Sequence, residues 1–80
     1  MTSINEQVNV AAFFKGSKLL PYLFFWRGRR IKIDEINLVH NAKAGDATLH
    51  YFSVSSGGSF FRLKFDQKEL RWELEQVEEG

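Results

Sequence analysis

Four cations crowd one short stretch of the chain: Arg27, Arg29, Arg30 and Lys32 lie around Gly28. Guanidinium forks engage phosphates bidentately, so such a cluster carries the chemistry of polyanion binding. Just ahead of it stand Tyr22, Phe24 and Trp26 at alternate positions. Rings exposed beside cations stack on unpaired bases. These seven residues form the expected contact set, with Lys15 and Lys18 as outlying cations that could extend it. The competing reading places the rings in a core and leaves the arginines as a solvated hairpin tip that also shields a sheet edge.

The other reactive side chains are poorly spaced for catalysis. His40 and His50 stand ten positions apart with no third ligand spaced for zinc. Asp34 and Glu35 are adjacent, so on a strand they point to opposite sides, which suits a bend better than paired acid–base work. Ser53, Ser55, Ser56 and Ser59 flank Gly57-Gly58, where serine serves turn chemistry. No phosphate-cradling glycine motif precedes a helical pattern. The expectation is a protein that is not an enzyme, with no metal and no cofactor.

The elements that would position these residues are short strands. Internal glycines at 16, 28, 45, 57 and 58 each separate two β-like runs, and such spacing of turn signals points to antiparallel β structure. Hairpins are predicted at 15–18, 27–28, 56–58 and 66–69, with a longer polar loop over 41–46. Pro21 cannot donate to a ladder, so it belongs at a strand start, an edge or a bulge. Ile31 and Ile33 share one parity while Ile36 and Leu38 share the other, which predicts a bulge or bend near Asp34-Glu35. The last segment reads two ways. Asp66-Gln67-Lys68-Glu69 has capping-box spacing before Leu70, Leu74 and Val77, as for a helix. Leu70, Trp72 and Leu74 also alternate with charged residues, as for a strand, and a helix would turn Trp72 into water, so the strand is favoured. The fold class expected is all-β: about six antiparallel strands in a small, partly open barrel or strongly curved sheet. One domain spans 1–80, with 1–6 and 78–80 expected to fray.

Composition supports a small aromatic core. An 80-residue chain buries only about 60% of its unfolded surface, but eight Phe, two Trp and two Tyr supply large apolar groups. There is no cysteine, which excludes disulfides and thiolate metal sites. The start lacks the pattern of a signal peptide, and the most apolar run, Leu19 to Trp26, falls far short of the roughly 20 residues of a membrane helix. A cytoplasmic protein without a membrane partner is therefore the default expectation. Residues 1–45 carry a charge balance of +4 and residues 46–80 one of −3, an asymmetry that suits either a polyanion-binding face or self-association.

Trp26-Arg27-Gly28-Arg29-Arg30, Tyr51-Phe52-Ser53-Val54, the Gly-Gly turn, Phe60-Phe61-Arg62-Leu63, Asp66 and Trp72-Glu73-Leu74 form a recognisable ladder. Over roughly residues 20–77 it resembles an uncharacterised family of small bacterial all-β proteins with a tryptophan–glycine–arginine hairpin. The resemblance implies an all-β fold closed by a C-terminal aromatic strand and carries no activity. Two functions remain open. Leu19 to Trp26 is apolar on both faces, so one face needs covering by the rest of the chain or by another one. That points to a protein-interaction or self-association domain, such as a homodimer. The alternative is a small nucleic-acid-binding module built on the basic hairpin.

Overall fold

The computed structural model describes residues 1–80 and contains eight β-strands and no helix. They are β1 (Thr2–Gln7), β2 (Asn9–Lys15), β3 (Lys18–Trp26), β4 (Arg29–Lys32), β5 (Glu35–Ala44), β6 (Ala47–Ser56), β7 (Ser59–Asp66) and β8 (Arg71–Glu78). All pairings are antiparallel. One sheet has five strands in the order β1-β8-β7-β6-β5, the other three in the order β2-β3-β4. The count is therefore eight where about six were expected, and the hydrogen bonds form two sheets where a partly open barrel or one strongly curved sheet was expected.

The reason lies at two corners. The Val8 amide donates to the Trp72 carbonyl in the large sheet, while Asn9 already pairs with Phe25 in the small one. The Ile33 amide likewise donates to Tyr22 and the next amide, Asp34, to Ser55. At each corner a continuous stretch of chain changes sheets, so a single extended run becomes two strands. The bend expected at Asp34-Glu35 is the second corner. Asp34 also accepts the Gly57 amide through Oδ2 at 2.9 Å, which ties the corner to the β6–β7 turn.

Three predicted hairpins close as two-residue turns at Gly16-Ser17, Arg27-Gly28 and Gly57-Gly58. Gly57 and Gly58 have φ of 55° and 83°, the double positive φ of a type I′ turn whose twist matches the flanking strands. The predicted loop over 41–46 is shorter than expected. Asn41–Ala44 continue β5 by pairing with Ala47–His50, leaving only Gly45-Asp46 to turn. Polar composition there reflects an exposed strand end. The first residues, expected to fray, form β1 on the free edge of β8.

The capping-box residues near the C-terminus are used without a helix. Asp66 Oδ1 accepts the amides of Lys68 and Glu69 at 3.0 and 3.1 Å, closing the turn before β8. Trp72 then points inward, 4.8 Å from the Phe65 ring. The core between the sheets holds Phe24, Phe52, Val54, Leu63 and Leu74, each at 1% exposure or less, and no buried polar side chain. Phe24 meets Phe61 edge-on at 5.2 Å. No helix is long and apolar enough to cross a membrane.

Candidate interaction surface

The β3–β4 hairpin sorts the expected contact residues onto two faces. Its two-residue turn pairs Trp26 with Arg29, Phe25 with Arg30, Phe24 with Ile31 and Leu23 with Lys32. Paired residues share a face. Phe24 and Ile31 are buried, as is Trp26 at 9% exposure, so Phe24 and Trp26 pack in the core and do not stand exposed beside the cations. Phe25, Arg30 and Lys32 face outward. Tyr22 has the parity of Phe24 but escapes the core, because the register slips between Ala11 and Ala12. That slip makes Tyr22 the extra residue of a bulge beside Pro21, and it sends the phenol out. Its ring lies 5.9 Å from Phe13, a residue the sequence reading passed over.

The outer face of the small sheet thus presents three half-exposed rings, Phe13, Tyr22 and Phe25, at 48, 49 and 45%. Arg30 and Lys32 border them. Neither cation has an ion-pair partner, and nor does Arg29 at the turn. Residues 9–33 hold six cations and no carboxylate; the remaining chain holds five cations and ten carboxylates. Charge is therefore segregated by sheet more sharply than by halves of the sequence.

The outer face of the large sheet is different in kind. Arg62 and Lys64 of β7 reach Glu75 and Glu73 of β8 at 3.3 and 3.7 Å. The Arg62 guanidinium also lies 4.8 Å above the Tyr51 ring, on which His40 stacks. Its charges neutralise one another, as in an antiparallel sheet with one solvated face. His50 lies elsewhere, with Nε2 at 2.8 Å from Gln67 Oε1.

Arg27 leaves the basic cluster for another role. Its Nη2 donates to Glu6 Oε2 at 2.7 Å, and the Trp26 indole N–H donates to Glu6 Oε1 at 3.1 Å. The guanidinium also lies 4.8 Å from the Trp26 ring centroid. Arg27 holds φ at 50°, a left-handed conformation that costs a non-glycine residue of order 1–3 kcal/mol. The strained turn is held where a strand of the large sheet clasps the hairpin of the small one. The Arg27 hydrogen bond, then that of Trp26, holds the Glu6 carboxyl below the usual carboxylate range.

A pH dependence follows from that direction. A carboxyl more acidic in the folded chain than in the unfolded one stabilises above its unfolded value and loses that contribution as pH falls through the folded value. Glu6→Gln should lower the urea midpoint at about pH 7, and that deficit should shrink as pH falls through the depressed folded value of the Glu6 carboxyl. A deficit that stays constant over the titration would detach the clasp from the charge on Glu6.

Comparison of the chain with protein-family models, with curated proteins and with solved structures finds no match.

Proposed function

We propose that the outer face of the three-stranded sheet binds single-stranded nucleic acid. Bases stack on Phe13, Tyr22 and Phe25, while Arg30 and Lys32, with Arg29 at the turn, hold phosphates. The observation that carries this reading is the placement of exposed rings and unpaired cations on one sheet whose strands contain no carboxylate. Aromatic platforms tolerate any base because every base has a π face, and the flanking cations follow the backbone. Charge segregation also means that an approaching strand meets the basic sheet without a carboxylate beside the rings.

Self-association is the second reading, and one observation favours it: the sheets carry opposite charge balances. The basic face of one copy could then meet the acidic sheet of the next, a head-to-tail contact that repeats into rings or filaments. It ranks second because Glu73 and Glu75 are already engaged by Lys64 and Arg62 on their own sheet.

Fluorescence anisotropy with a labelled strand of about 12 nucleotides tests the proposal. Binding should be saturable, and log affinity should fall linearly with log salt by about 0.7 per phosphate engaged. Tyr22→Ala and Phe25→Ala should each weaken binding by about 1–3 kcal/mol. Absence of binding at about 50 mM salt overturns the reading. Concentration-dependent assembly in light scattering, abolished by the same substitutions, replaces it with self-association.

A further inference from the structure

The two sheets diverge at the end of the molecule that carries the Gly16-Ser17, Gly45-Asp46 and Gln67–Leu70 turns, and between them opens a cleft of about 920 Å3. Phe52, 1% exposed, forms its floor, and the Phe65 and Trp72 rings form one wall. Eleven of its sixteen lining residues are apolar. At the mouth stand Phe14 and Leu70, 72 and 75% exposed. Leu70 also holds φ at 53°, so a bulky residue sits in the left-handed region where only the tight turn keeps it. In a domain with so little core, leaving these rings and the apolar mouth in water weakens the fold, and an occupant that covers them restores the lost burial.

The lining says what the occupant is. Lys18 is its one charged residue, and no carboxylate lines the cleft. Along the exposed rim, the side chains of His50 and Gln67 hydrogen-bond each other at 2.8 Å, so neither calls for a polar tail. A ligand that matches has an apolar body and one anionic end at the mouth. Sites of this volume, largely apolar with a few polar groups that fix orientation, suit small amphipathic molecules. We propose that the cleft binds a long-chain fatty carboxylate, with its tail along Phe65 and Trp72 and its carboxylate on the Lys18 ammonium. The site and its ligand are independent of the outer face of the small sheet.

Trp72 gives a direct probe, because the other tryptophan, Trp26, does not line the cleft. Dodecanoate brominated along its chain, held below the concentration at which it forms micelles, should quench part of the tryptophan emission saturably. Trp72→Phe should abolish that quenching. Affinity should rise about fourfold for each methylene added to the unbrominated competitor, until the cleft is filled. Lys18→Glu should weaken dodecanoate about tenfold and leave dodecanol unchanged. The proposal is overturned by the absence of saturable quenching up to about 1 mM, which is weaker than a site of this area should give. Quenching that survives Trp72→Phe also overturns it, as does an equal response of acid and alcohol to Lys18→Glu.

Discussion

Phe24→Ala should leave much of the protein unfolded at physiological temperature, whereas Phe25→Ala, one residue away, should leave the fold nearly as stable as before. Phe24 is fully buried and packs edge-on against Phe61 at 5.2 Å. Truncating a buried phenylalanine costs about 3–5 kcal/mol through lost transfer energy and the cavity left behind. Small domains hold only about 5–15 kcal/mol in total, and an 80-residue chain belongs near the lower end. At about 4–8 °C per kcal/mol for a domain of this size, the melting midpoint should fall by roughly 15–30 °C. Phe25 is 45% exposed on the opposite face, where substitutions stay within about 0.5 kcal/mol. Thermal melts followed by circular dichroism measure both. Equal losses would mean that the hairpin register, and with it the assignment of faces, is wrong.

That contrast shows how far the sequence reaches. Turn positions were legible because glycine at positive φ leaves few alternatives, and the Arg27-Gly28 turn in particular fixes the pairing of four residues on either side of it. That pairing already sets Arg30 opposite Phe25 and so separates it from Phe24 and Trp26. Grouping Arg30 and Lys32 with Phe24 and Trp26 joined two faces that a two-residue turn keeps apart. The bulge that brings Tyr22 out was half legible: Pro21 requires an interrupted ladder somewhere nearby, but the slip depends on which β2 residues pair with it.

Other features depend on distant parts of the chain and leave no local trace. The clasp of Glu6 on Trp26 and Arg27 joins residues about twenty positions apart. Nothing near Glu6 distinguishes it from any solvated carboxylate. The sheet change at Val8 is equally silent, since Val8 only opens an ordinary β-like run, and the chain changes sheets there because the Trp72 carbonyl takes the Val8 amide in one sheet while Phe25 pairs with Asn9 in the other. The change at Ile33–Asp34 was legible because apolar parity flips there. Capping-box spacing at Asp66 has the same ambiguity at the level of hydrogen bonds: an aspartate that accepts two successive amides closes a tight turn as well as it starts a helix. The packing of a half-buried Trp72 against the core agrees with the strand.

Neutralising the two free outward cations should damage nucleic-acid binding far more than removing the Glu6–Arg27 pair. Arg30→Ala/Lys32→Ala takes away two unpaired charges beside the rings. If each holds one phosphate, the salt slope should shrink by about 1.4. At low salt the affinity should drop about 10- to 100-fold, with the melting midpoint little changed because both side chains are exposed. Glu6→Gln/Arg27→Gln removes one charge of each sign and so leaves the net field near the hairpin almost as it was. That variant should melt earlier, having lost the clasp, and should keep the original salt slope in whatever fraction remains folded. The two doubles therefore exchange effects: one spares stability and loses binding, the other spares binding and loses stability. A similar drop in salt slope from both would place Arg27 back among the phosphate contacts. The segregation of free cations onto the aromatic face would then no longer support the proposed binding of a polyanion.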